Sequence, residues 1–115
     1  MFTIKFYELP NGHKPVNEFI KRLSPKMQAK AVYSISLLAE FGTQLREPYS
    51  KHVCDGIFEL RIKFAADAVR IFYFFFDNTE IVLTNGFIKK TKRTPAKELK
   101  KAEKYKADYE RRYLK

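Results

Sequence analysis

One cysteine, Cys54, is too few for an internal disulfide, and with His13 and His52 it is too few to complete a metal set, so neither zinc nor any cofactor is expected. No apolar run has the length or flanks of a signal peptide or a membrane span, which makes a reducing cytoplasm the expected location. Internal repeats, low-complexity tracts, a glycine-rich phosphate loop and a nucleophile elbow are also missing. The 115 residues suffice for one domain, 1–115, which buries on the order of two-thirds of its unfolded surface.

Positive charge, in contrast, is abundant and unevenly placed. Of the net +10, the segment from Gly86 to Lys115 carries +8, with twelve Lys/Arg against four Asp/Glu, and the remainder is close to neutral. A basic segment that follows a sheet points to a phosphate backbone or an acidic protein partner, since Lys/Arg contacts release counterions. The alternative for such a run is a solvated, lysine-rich helix face.

The chain is organised around the stretch from Asp55 to Lys90. Turn formers at Asp55-Gly56, Ala65 to Asp67, Asp77-Asn78 and Asn85-Gly86 bracket runs rich in β-branched and aromatic residues, the pattern of an antiparallel meander. In the first run Phe58, Leu60, Ile62 and Phe64 take one face and Ile57, Glu59, Arg61 and Lys63 the other. Residues opposite each other share a face, so an odd-sum register with the second run aligns Phe58 to Phe64 with Val69, Ile71, Tyr73 and Phe75. It also brings Arg61 beside Arg70. A slip by one would bury Arg70 among phenylalanines, at a cost of several kcal/mol. The same logic pairs Phe76 with Ile81 and places Phe87 and Lys89 on the face of Arg70, where only an anionic partner would relieve the gathered cations.

Elsewhere, Met1 to Tyr7 reads as a short strand at the sheet edge. Val16, Phe19, Ile20 and Leu23 repeat at helical spacing from Pro15. A second helix is capped by Ser24, carries Met27, Ala31, Ile35, Leu38 and Phe41 on its buried stripe, and stops at Gly42. The two form a hairpin over the apolar face of the meander. Thr43 to Val53 shows no periodicity and is read as a loop. Thr94 is expected to cap a last helix with Pro95 at its first position and Ala96, Leu99, Ala102, Tyr105, Tyr109 and Tyr113 along one side. The expected fold class is α+β: N-terminal strand, helical hairpin, three-stranded antiparallel meander, C-terminal helix.

Four segments in this order and spacing, Asp55-Gly56-Ile57-Phe58-Glu59-Leu60-Arg61, Val69-Arg70-Ile71-Phe72-Tyr73-Phe74, Asn85-Gly86-Phe87-Ile88-Lys89-Lys90-Thr91 and Thr94-Pro95-Ala96-Lys97-Glu98-Leu99, resemble the RelE/ParE superfamily of bacterial toxins, within it the phage-derived, HigB-like branch. The resemblance spans nearly the whole chain. It implies a RelE-like fold and a toxin that cleaves mRNA in the ribosomal A site. It further implies a cognate antitoxin, of the helix-turn-helix DNA-binding type, that keeps the toxin inactive.

RNA brings its own nucleophile, the 2′-hydroxyl beside the scissile phosphate, so a protein has to align it, stabilise added negative charge and move protons. The planar fork of arginine suits the phosphate, which assigns Arg61 and Arg70 to it, with Lys89 and Lys90 as secondary clamps. Lys63, Lys92 and Arg93 are assigned to RNA contact. Phe87 either stacks a splayed base or packs. The general base is unassigned, because no histidine falls in the matching segments, and some relatives place one where this chain has Asn85. Glu59 either takes the 2′ proton or holds Arg61, and holding is favoured because neighbouring cations make a carboxylate a poorer base. A lysine depressed by its neighbours is the other candidate. Two further readings stay open: a ParE-like inhibitor of DNA gyrase, which the retained Arg61, Arg70 and Lys89-Lys90 set disfavours, and a basic RNA-binding module without activity.

Overall fold

The computed structural model describes residues 1–114. Strand β3 (Ile57–Phe64) pairs antiparallel with β4 (Asp67–Phe76) in the expected odd register, Arg61 facing Arg70 and Phe58 facing Tyr73. Burial of Leu60, Ile62, Val69, Ile71 and Tyr73 on one side fixes that register, because a one-residue slip would expose all of them. The two-residue turns Asp55-Gly56 and Ala65-Ala66 are reached through left-handed φ at Asp55, Gly56 and Ala65, which suits the twist of the hairpins they close.

Strand β5 (Glu80–Ile88) lies antiparallel to β4 but in two registers. Near the cationic end Arg70 faces Phe87, as expected; near the turn Phe75 faces Ile81 and Phe76 faces Glu80, which corrects the expected Phe76–Ile81 pair. The shift leaves Phe72 opposite both Thr84 and Asn85, a bulge. Polar bonds hold the extra residue in place. The single Thr84 hydroxyl proton is shared between Asn85 Oδ1 (2.8 Å) and the Phe72 carbonyl (3.3 Å), and Asn85 Nδ2 donates to the carbonyl (3.0 Å) and carboxylate (3.2 Å) of Glu98.

The meander is the centre of a five-stranded sheet of order β1-β5-β4-β3-β2. β1 (Thr3–Phe6) runs parallel to β5 at one edge. At the other edge β2 (Ser50–Cys54) pairs antiparallel with β3, so the segment expected to be a loop holds a short 3-10 turn at Gly42–Gln44 and then an edge strand. A register shift between His52 and Cys54 breaks the alternation that would have marked it in the sequence.

Helices α1 (Pro15–Lys21) and α2 (Pro25–Phe41) pack Val16, Met27, Ala31 and Leu38 on the apolar face. Ser24 Oγ accepts from the Met27 amide at 3.2 Å, and α2 ends at Gly42, whose left-handed φ and contact with the Phe2 ring leave no room for a Cβ. Phe41, placed on the buried stripe by its spacing, is 42% exposed at the helix end. Helix α3 (Ala96–Tyr113) covers part of the opposite face, burying Ile57, Phe72, Phe74 and Val82 beneath Leu99, Ala102, Tyr105 and Tyr109. Thr94 does not cap it; the amides of Glu98 and Leu99 both reach the Pro95 carbonyl at 3.1 Å, and the cap falls one residue later than expected. The architecture is α+β and compatible with a RelE-like fold. Among the described residues no helix is long and apolar enough to cross a membrane.

Candidate functional site

Because α3 covers only part of its face of the sheet, one end of that face is left for charged side chains. Strand alternation delivers them: Glu59 and Arg61 from β3, Arg70 from β4, Lys51 from β2 opposite Glu59, and Lys89 just past β5. The Lys89 amide donates to the Ala68 carbonyl at 2.8 Å, so the ladder extends far enough to fix its direction. The expectation that Arg61, Arg70, Phe87 and Lys89 share a face, with Phe58, Leu60, Ile62, Val69 and Ile71 on the other, matches the observed pairing.

Two arginines directly opposite each other repel, and the fold answers with an anion between them. Glu59 is 3% exposed; its Oε2 accepts from Arg61 Nε at 2.8 Å and lies 3.6 Å from Arg70 Nε. Glu59 Oε1 and Arg70 Nε are buried without a hydrogen-bond partner among the described residues. The side chain of Arg61 is 27% exposed and reaches to 3.6 Å from Glu47 Oε1, whereas that of Arg70 is 14% exposed and donates from Nη1 to the Val69 carbonyl at 3.2 Å. Burial lowers the pKa of Arg70, with Glu59 opposing and Arg61 adding to the effect. Lys89 is lowered in the same way, first by burial, with Glu59 opposing and Arg70, Arg61 and Lys51 adding.

Around these groups lies a pocket of about 230 Å³ whose walls include Lys51, Glu59, Arg61, Lys89, Lys92 and Thr94. Arg70 is not among its lining residues and sits behind Glu59. Lys89 Nζ donates to the Lys92 carbonyl at 3.0 Å, which ties the connecting segment to the pocket wall. Lys63, Lys90, Lys92 and Arg93 are exposed around this end of the sheet.

Phe87 does not offer a free ring. It is 7% exposed and packs 5.4 Å from Phe72, centroid to centroid, beside Ile57 and Ala102, so of its two readings packing is the one observed. Lys51 and Glu47 were missed because the segment that carries them read as a loop; the signal present, Lys51 and Val53 on one side of His52, is too short to stand out. His52 turns to the other face, edge-on to Phe58 at 5.0 Å. His13 Nδ1 lies 2.7 Å from Glu18 Oε2 in a turn. Away from the pocket, Cys54 meets Asp55 and Glu103, with ligand atoms within 4.8 Å of one another. Burial and those two carboxylates raise the pKa of the Cys54 thiol, which keeps it protonated.

The family model described as phage-derived protein Gp49-like (DUF891) matches residues 18–107, a span that takes in every pocket residue named above. No protein of curated function matches the chain.

Proposed function

The chain belongs to the Gp49-like family of phage-derived proteins, a family of RelE-like toxins of toxin–antitoxin modules, and from that premise we propose that it is a ribosome-dependent mRNA endoribonuclease of the HigB-like branch. Membership implies an antitoxin partner. The observation that carries the proposal is the gathering of Lys51, Arg61 and Lys89 around one buried carboxylate at the open end of the sheet.

In this reading the 2′-hydroxyl of the RNA attacks the adjacent phosphate and loses its proton, the P–O5′ bond breaks, and the 5′-oxygen leaves as a hydroxyl with a 2′,3′-cyclic phosphate behind it; the pocket supplies charge and proton transfer. Arg61 presents its guanidinium to the phosphate oxygens, with Nε already engaged by Glu59. Lys51 adds charge from β2. Lys89 moves the proton, its pKa lowered by burial and by Arg70, Arg61 and Lys51 against the opposing Glu59. Arg70 completes the charge balance behind Glu59, and Lys63, Lys90, Lys92 and Arg93 contact RNA around the pocket. The setting is the cytoplasm, where an antitoxin of the helix-turn-helix DNA-binding type silences the toxin.

Purified protein is to be tested for cutting of mRNA on programmed ribosomes, cutting of the same mRNA without ribosomes, and inhibition of gyrase supercoiling. Cutting confined to the ribosome-bound message is expected. Inhibited supercoiling with intact message would overturn the proposal in favour of a gyrase inhibitor, and intact message with RNA binding alone in favour of a non-catalytic module.

A further inference from the structure

We propose that Glu59 is a positioning residue of the pocket, the fixed anion that aims the Arg61 guanidinium before any substrate arrives. The role presupposes the RNA-cleaving reading of the pocket and adds to it the group that sets its geometry.

Glu59 is 3% exposed, and its Oε2 takes the Nε of Arg61 at 2.8 Å. A bond at Nε fixes the plane of the guanidinium side-on and leaves the Nη edge for a bidentate phosphate contact. The other ion pair of Arg61, Nη1 to Glu47 Oε1 at 3.6 Å, involves a carboxylate whose side chain is 65% exposed; such a pair is worth little and yields readily to a phosphate. The buried carboxylate is therefore the one that directs the arginine.

Stability alone does not explain the arrangement. Glu59 Oε1 and Arg70 Nε are both buried and unpartnered among the described residues, and a buried polar atom left without a partner destabilises the fold. Oε2 sits 3.6 Å from Arg70 Nε, too far for a hydrogen bond, while it bonds Arg61 well. The carboxylate is thus placed to serve Arg61, with Arg70 as a buried counter-charge. With 3% exposure and Oε2 taken by Arg61, the carboxylate is engaged by the arginine and not presented to the pocket for a 2′-hydroxyl, which separates positioning from base catalysis. The same anion opposes the burial and the cations Arg61, Arg70 and Lys51 that act on Lys89, so its loss lowers the pKa of Lys89 further.

The experiment compares the parent chain with Glu59→Gln and Glu59→Asp by NMR of the Arg61 Nε–Hε group and of Lys89 Nζ against pH, and by kcat and KM on programmed ribosomes. For Glu59→Gln the expected results are a lost or averaged Arg61 Nε–Hε signal, a lower Lys89 pKa, and kcat down by about 10- to 100-fold with KM little changed. Glu59→Asp, which keeps the charge and shortens its reach, recovers part of each. If the Gln variant does not fold, the Asp variant gives the same readings at smaller size. An unchanged Arg61 signal overturns the proposal, whether kcat is parental or has fallen; in the second case Glu59 acts on the proton directly. A parent chain that cuts no RNA removes the functional reading, while the two NMR signals of the free protein still decide the positioning role.

Discussion

Arg61 and Lys89 make opposite demands on the protein. Arg61 is held by a buried carboxylate yet open to the pocket, so Arg61→Ala removes a charge contact and also strips Glu59 of its hydrogen-bond donor. The expected loss is about 10²- to 10³-fold in cleavage rate, with the chain still folded but its thermal transition lowered. Lys89 is held in its less favoured, charged form. Its pKa in the folded chain lies below the unfolded value, so folding is penalised at pH below the folded pKa and the penalty fades as pH rises through that pKa toward the unfolded one. Lys89→Met should therefore be more stable than the parent at neutral pH, with a gain that shrinks as pH rises toward the ordinary lysine range, as denaturation at several pH values will read. It should also be inactive. A Lys89→Met chain less stable at pH 7 would contradict the description of the cluster as strained.

Among the elements, β5 decides the shape of the site, since its bulge turns Thr84 and Asn85 toward α3 and lets Gly86 meet α1. A Cβ at Gly86 would lie 2.6 Å from the Phe19 ring, so Gly86→Ala should destabilise by about 1–3 kcal/mol, and Phe19→Leu in the same chain should return part of that in thermal denaturation. The pairing of β3 with β4 was legible in the sequence because Arg70 admits one register and excludes the other. The cationic cluster followed from that register without further information. The bulge was not legible, because polar Thr84 and Asn85 look like the start of a turn until Glu98, thirteen residues beyond Asn85, is seen to bind it. Nor was β2: five residues with a register shift at an edge leave no clean period, and Lys51 was lost with the strand. The buried state of Phe87 depends on where α3 lands, which alternation alone does not give.

For the molecule as a whole, α3 is fastened at its far end by Tyr7, which donates to Asp108 at 2.6 Å and stacks on Tyr105, by Arg112 bound to Asp108, and by Tyr109, which donates to Glu80 at 3.0 Å. Burial and Asp108 push the Tyr7 hydroxyl up to about 12, so this fastening does not titrate in the physiological range. A chain of net +10 with an open cationic pocket is complementary to an antitoxin bearing an acidic segment. Their association should slow by about tenfold or more from low to physiological salt. Direct cover of the pocket predicts weaker binding by Arg61→Ala and Lys89→Ala at both salt concentrations; unchanged affinity would assign inhibition to bulk at α1 and α2.

The central claim, that the protein aligns and activates the 2′-hydroxyl of RNA, is tested most directly on a message carrying one 2′-deoxynucleotide on the 5′ side of its main cleavage position. On programmed ribosomes the parent message should be cut there to leave a 2′,3′-cyclic phosphate, and the substituted message should stay intact at that position. Cutting of the substituted message at the parental rate would contradict the account.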